Sequence, residues 1–377
     1  MNKPAKTILS VLLSMTMAVS LSSCGGAGGS GKKTVGIAMP TKSLERWNRD
    51  GEYLKDLFEK AGYKVELKYS DNKTDQQNND IQNMIADKVD LLLIAAVDGS
   101  TLTQTLDDAK KAKIPVVAYD RLIMNTDAVS YYVSFDNYTV GKLQGEFVRD
   151  KLDLENQAGP FNIEFTAGDP ADNNAGYFFK GAYEALQQYI DAGKLVIKSG
   201  KKTFEQVATE KWKTETALAN MQNTLASYYS DGTVLDVALC SNDSTALGVA
   251  QAIGSDYKGS NKPIVTGQDG DVANLRNIVD GIQTMTVYKN VRDQAGVTVE
   301  VSKAILDGKT PDQGLVSSLP AEAVYDTESY NNGVKNVPSY LLVPYVITAD
   351  NLQKLVDTTL YKWDDAHKYL ESTAETT

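Results

Sequence analysis

The sequence runs to 377 residues, 42 % hydrophobic and 23 % charged. That is more than one hydrophobic core usually holds, and it predicts two domains. A net charge of −11 lacks the concentrated basic face a nucleic-acid partner needs. With one histidine, His367, and two cysteines, Cys24 and Cys240, the chain can hardly build a His/Cys zinc site or a Cys–His nucleophile pair; carboxylate chemistry stays open, but no metal, cofactor or catalytic residue is assigned.

The N-terminus reads as a targeting segment. Lys3 and Lys6 precede an apolar stretch, Ile8 to Leu21, too short to remain in a membrane, and Leu21-Ser22-Ser23-Cys24 closes it. That ending fits a lipoprotein signal, in which Cys24 is acylated and becomes the new N-terminus; the plainer alternative is a secretory signal with an incidental cysteine. Residues 1–24 are assigned to the signal and 25–33, "GGAGGSGKK", to a flexible tether. Cys240, left without an exported partner, is read as a small buried residue at a strand end.

From Thr34 apolar runs alternate with helical spacing. A strand over 34–40 leads to a helix with Trp47, Leu54, Leu57, Phe58 and Ala61 on one face, ended by Gly62. Strands follow at 63–69, 89–97 and 114–119, separated by helices around Ile81, Met84 and Ile85 and around Leu102, Leu106 and Ala109. The alternation restarts with strands at 161–167, 194–200, 234–240, 263–267 and 282–288. Two runs of strand–helix units predict an α/β fold of two doubly wound lobes with parallel sheets.

Each of several strands stops at a small polar knot: Asp98, Asp120 with Arg121, Asn242 with Asp243, Gln268 with Asp269, and Lys289. In open parallel sheets, ligands bind beyond the carboxyl ends of the strands, where such knots converge. Helix capping is an equal alternative for Asp98, Asn242 and Asp243, because Asp and Asn are preferred at helix starts. Arg121 and Lys289 need another reason, for which a ligand is a good candidate, since a cation there opposes the helix dipole. Trp47 is either a core residue or a ligand platform, whereas Trp212 sits among Lys, Thr and Glu and suits a sugar whose C–H faces stack on a ring. Glu164 stands alone within a strand, and "DNKTDQQ" from Asp71 lacks the glycine and closing glutamate of a calcium loop.

The stretches "GIAMPTKSLERW", "IAAVDGSTL", "VAYDRLI", "GDPADNNA", "SNDSTA", "TGQDGD" and "TMTVYK" resemble, in order and spacing, the type I periplasmic sugar-binding proteins of bacterial ABC importers, in particular the xylose-binding and multiple-sugar (aldose)-binding proteins. The resemblance runs from Thr34 to beyond Ala349. It implies two lobes, 34–136 with 290–335 and 137–289 with 336–377, joined by three hinge crossings and closing on one monosaccharide. It also implies that Arg46 and Trp47 supply a hydroxyl contact and a stacking ring, and Arg121 a second arginine contact. Asp172 and Asn174 would be the polar pair of the second lobe, Trp212 the opposing ring, and Asn242, Asp269 and Lys289 the remaining hydrogen-bond partners. Asp98 stands where relatives carry an amide or acid. Residues 320–333 are longer than the family pattern, and no calcium loop is evident.

The function implied is that of a monomeric, lipid-anchored, extracytoplasmic receptor that delivers xylose, glucose, galactose or a similar aldose to an ABC permease. An alternative within the same fold is a sugar receptor for a chemoreceptor or sensor kinase. An exported carbohydrate-active enzyme would need a paired acid and base about 5–10 Å apart, and nothing in the sequence pairs with Glu164.

Overall fold

The computed structural model describes residues 31–373, so the signal segment and Cys24 lie outside the described residues. The first run of units forms strands β1 (Thr34–Met39), β2 (Lys64–Tyr69), β3 (Leu91–Ile94) and β4 (Val116–Tyr119), alternating with helices α1 (Glu45–Lys60), α2 (Thr74–Ala86) and α3 (Thr103–Lys111). α1 ends as the sequence predicts: Gly62 has φ +93°, a left-handed conformation that only glycine adopts without steric cost. Strand β5 (Val129–Phe135) completes a parallel order β2–β1–β3–β4–β5. The sequence reading did not mark β5, because Tyr131, Tyr132 and Ser134 break the apolar pattern. Their polar tips have uses: the Tyr132 hydroxyl donates to the carbonyl of Asp120 at 2.6 Å and Ser134 does so at 2.9 Å.

The second run comprises α4 (Asn137–Lys151), β6 (Phe161–Thr166), α5 (Asn173–Asp191), β7 (Leu195–Val196), α6 (Phe204–Val207), α7 (Thr214–Tyr228), β8 (Val237–Cys240), α8 (Asp243–Asp256), β9 (Ile264–Val265) and α9 (Val272–Val279). Its sheet runs β7–β6–β8–β9, parallel throughout, with β7 and β9 reduced to two residues each. Strand β10 (Thr286–Tyr288) follows and bridges through Val287 to Gln268. Helix α10 (Val291–Leu306) then packs on α1 and β5, and β11 (Ala323–Asp326) and β12 (Ser339–Leu342) extend the first sheet. Strand β13 (Tyr345–Ile347) pairs antiparallel with β10; helix α11 (Gln353–Asp357) and the hairpin β14 (Tyr361–Trp363) and β15 (Leu370–Ser372) complete the described chain.

The chain thus passes between the sheets three times, from β5 to α4, from β10 to α10 and from β12 to β13. The last passage differs from the expected one at 335–336. Ser339–Leu342 pair in parallel with Tyr132–Phe135, so β12 belongs to the first sheet and the crossing falls at Val343–Pro344. Proline has no N–H to donate, which suits the point where a strand leaves its ladder. Buried polar side chains tie α1 and α5 to the loops after β4 and β9.

Alternation along β1 places Val35, Ile37 and Met39 with Leu54 and Phe58 on one face of the first sheet and Ala38 with Ile81, Met84 and Leu106 on the other. Cys240 is fully buried in the core between β8 and α7–α8, as the sequence suggested, and burial pushes its thiol pKa up. Helices α4 and α5 touch backbone to backbone at glycines. A Cβ on Gly181 would come within 2.1 Å of the Tyr138 carbonyl oxygen, and one on Gly141 within 1.9 Å of that of Phe178.

This contact yields a prediction whose sign discriminates. Within a helix Gly→Ala normally stabilises by about 1 kcal/mol. Gly181→Ala should instead destabilise by about 1–3 kcal/mol through overpacking, read from the midpoint of urea unfolding. A stabilised variant would refute the close approach.

Candidate ligand-binding site

Arg46, Trp47, Arg121, Asp172, Trp212, Asn242, Asp269 and Lys289 line one cleft at the carboxyl ends of the strands. Two of the ten expected residues do not. Asp98 caps its own turn, accepting from the Ser100 amide at 2.8 Å, and lines a separate surface depression with Asp75, Asp169 and Lys211. Asn174 turns away from the cleft: its amide donates to the Asp120 carbonyl at 2.6 Å, and its side-chain oxygen lies 3.1 Å from the Tyr132 hydroxyl. It ties α5 to the end of β4 and shapes the cleft from behind. The lining also contains residues not expected from the sequence, among them Asp120, Phe178, Gln268 and Asp271. Asp120 and Gln268 belong to knots already noted, and Phe178 lies one helical turn beyond Asn174.

Arg46 occupies the centre. Its guanidinium donates to Asp120, to Asp50 at 3.2 Å, to Asp269 at 3.3 Å and to the Gln294 amide oxygen at 3.1 Å. Burial disfavours its charge, but Asp120, Asp50 and Asp269 outweigh that and hold its pKa well above the usual value. Burial would likewise raise Asp120, yet Arg46 and Lys289 hold it below the usual carboxylate range. Lys289, 2 % exposed, lies 3.3 Å from Asp269 and above the Phe178 ring, 5.4 Å from its centroid. The cation that the dipole argument found anomalous therefore has both a carboxylate and a ring.

Arg121, expected at a helix start, is followed by no helix, because β4 leads to β5, but it too has a carboxylate and a ring. Its Nη1 donates to the carbonyls of Ala96 and Val97 at 3.0 and 3.2 Å, and its Nε lies 3.1 Å from the carboxylate of Asp172. The guanidinium carbons of Arg46 and Arg121 each lie 5.1 Å from the Trp47 ring centroid, cation–π contacts worth roughly 0.5–2 kcal/mol. Trp212 is set differently. Lys211 and Trp212 both have left-handed φ, +56° and +57°, and the indole lies against Gly168, where a Cβ would come within 1.9 Å of the ring. Trp212 Nε1 and Gln268 Oε1 are buried without a partner among the described residues, a donor and an acceptor left for a ligand.

Capping and lining are not exclusive here. Asn242 accepts from the Thr245 amide at 3.0 Å and Asp172 from the Asn174 amide at 3.0 Å, so both cap helices while facing the cleft. Asp269 caps nothing: the N-cap of α9 is Asp271, which makes no side-chain cap bond. Asp243 is fully buried beneath the floor, where burial and then the charge of Asp271 keep its pKa well above the usual range. Burial pushes Asp271 up to about 7, against the pull of Arg49. Glu164, far from this cleft, holds Ser199 and Tyr229 and plays a structural part. Among the described residues no group of three His, Cys, Asp or Glu side chains could hold a metal. No described helix is long and apolar enough to cross a membrane.

Ring faces beside fixed donors and acceptors of both signs suit a small ligand that is apolar on its faces and hydroxylated at its edge. Comparison with known proteins agrees. Residues 35–310 match the model of the periplasmic binding protein domain. The chain is 43 % identical over 337 residues to the multiple sugar-binding periplasmic receptor ChvE of Rhizobium radiobacter, covering 88 % of this chain and 92 % of that one. It is 34 % identical to the D-xylose-binding periplasmic protein of Escherichia coli, over 85 % of this chain and 88 % of that one. A solved ABC transporter solute-binding protein of Clostridium phytofermentans, with bound β-D-glucose, superposes with a TM-score of 0.83 at 49 % identity, covering 89 % of this chain and 99 % of that one. The chain belongs to the periplasmic binding protein family, among the periplasmic sugar-binding proteins of ABC importers.

Proposed function

We propose that this protein is an extracytoplasmic receptor that binds one aldose of the glucose or xylose class, as a monomer, and passes it unchanged to an ABC permease. The observation that carries the reading is the convergence, in one cleft, of the Trp47 and Trp212 rings with Arg46, Arg121, Asp269 and Lys289. A sugar hydroxyl both donates and accepts, and the cleft offers fixed partners for both, with Asn242 able to do either. The glucose-bound relative and the xylose-binding relative support the ligand class. Asp120 and Asp269 are held by Arg46 and Asp172 by Arg121, an arrangement that fixes acceptors in place. The same reading includes a lipid anchor at Cys24, supported by the "LSSC" ending of the apolar segment and the glycine-rich tether that follows.

Three measurements test it. Calorimetric titration with D-glucose and D-xylose should show binding of at least one, and Asp269→Ala should weaken that binding by roughly one to two orders of magnitude, the worth of a hydrogen bond to a charge. Asp98→Ala, in its separate depression, should leave the affinity within about twofold, inside the usual range for surface substitutions; equal losses in both variants would sink the site assignment.

Sugar addition should change the intrinsic fluorescence. Trp47→Phe and Trp212→Phe should each reduce the change, while Trp363→Phe, on β14 and bonded through Nε1 to Gln353 at 3.2 Å, should preserve it. A signal lost only with Trp363 would exclude the two-ring cleft.

Cys24→Ser should move the protein from the membrane to the soluble fraction. Unaltered membrane partitioning would remove the anchor from the proposal.

A further inference from the structure

One turn beyond Arg46 on the same face of α1 lies Arg49, 7 % exposed and outside the cleft lining. Its guanidinium is committed to the loop that carries Asp269. Nη2 donates to the Asp269 carbonyl at 3.3 Å and to the Asp271 carboxylate at 3.3 Å. Nη1 donates to the Tyr361 hydroxyl at 3.1 Å and to Glu45 at 3.2 Å. Tyr361, on the C-terminal hairpin, in turn donates to the Gly270 carbonyl at 2.7 Å. Three consecutive residues are thus each held from outside the cleft, by α1 or by β14.

The loop needs such support. Asp269 has φ +102° and Gly270 +71°, so a non-glycine residue sits in a conformation that side chains rarely adopt. Strain of this kind persists only where surrounding groups impose it.

We propose that Arg49, braced by Tyr361, is a positioning residue for sugar binding: through its ion pair with Asp271 it holds the 269–271 loop where Asp269 can meet the ligand. This role rests on the sugar-binding reading above and gives it a pH dependence. The charged and titratable groups around Asp271 are Arg49, Arg46 and Glu45 on α1, Asp269 in its own loop, Asp243 on α8 and Tyr361 on β14, with Tyr288 of β10 against Gly270 and Lys289 3.3 Å from Asp269. Burial, Glu45 and Asp269 raise the Asp271 pKa and Arg49 opposes them, so the ion pair is present while Asp271 is ionised and is lost as the pH falls through that raised pKa. Sugar affinity should therefore fall as the pH drops through neutrality. Removing Arg49 should move the transition to higher pH.

The test is calorimetric titration of the intact protein with D-glucose and D-xylose between about pH 6 and 8.5. Arg49→Met should weaken binding roughly tenfold at the alkaline end, the worth of one charged hydrogen bond, and shift the transition upward. Arg49→Lys should restore the transition but only part of the affinity, because one ammonium cannot reproduce the planar fork. Asp271→Asn should flatten the profile. If Arg49→Met does not fold, Asp271→Asn and Tyr361→Phe decide: a flattened profile in the first and weakened binding in the second support the role, and unchanged behaviour in both overturns it. Binding weakened in Arg49→Met with an unmoved profile would also overturn it, leaving Arg49 a packing residue. A wild-type protein that binds neither sugar would instead overturn the sugar reading itself.

Discussion

A single buried guanidinium organises this molecule. Arg46 is 6 % exposed, and an isolated ion so far from water would be prohibitively costly. Its four partners come from its own helix, from the end of β4, from the loop after β9 and from α10. Once the charge is buried, those segments must approach one another, and the approach brings the two sheets to a common cleft. Withdrawing one partner from such a cluster typically costs 3–5 kcal/mol, because the remaining charges stay buried. The cluster is thus strongly specifying even where its net stabilisation is small.

The same constraint governs what the cleft can recognise. Carboxylates pinned by cations present acceptors at fixed positions, and cations neutralised by carboxylates present donors without a large net field. A neutral ligand with hydroxyls is matched by such a lining better than a strongly charged one. The indole of Trp212 lies where Gly168 has no side chain, while Trp47 is packed into the core of the first sheet with two arginines beside its ring. Ring faces and ionic groups are therefore mutually positioned.

Much of this was legible in the sequence because parallel strands end where ligands bind and the polar knots mark those ends. Lys289 stood out because a cation at a helix start, here that of α10, demands a partner, and Asp269 is that partner; Arg121 was singled out on the same ground, yet no helix follows it, since β4 leads to β5, and its partner Asp172 comes from the N-cap of α5. Asp98 stayed open between two readings because an acid that caps a turn has the same local sequence as one that meets a ligand. The direction of Asn174 was not legible for a different reason: it depends on the Asp120 carbonyl, 54 positions away. β5 was hidden by tyrosines whose hydroxyls only tertiary structure could satisfy. The place of β12 depended on a partner some 200 residues earlier, and local pattern carries no record of such pairing. Arg49 was invisible for the same reason, since apart from Glu45 its partners lie more than 200 residues along the chain.

Cys240 has a bearing on how the protein can be followed in time. It is the one cysteine of the described residues, with its backbone amide bonded to Thr266 and its carbonyl to Gln144, at the meeting of β8 with the neighbouring strand and helix. Among the described residues Cys240 has no second cysteine to pair with. A thiol kept protonated and shielded is also inert towards alkylating reagents until its surroundings come apart. Its labelling rate is then a clock for the opening of the second sheet alone, built into the chain at a position remote from the first.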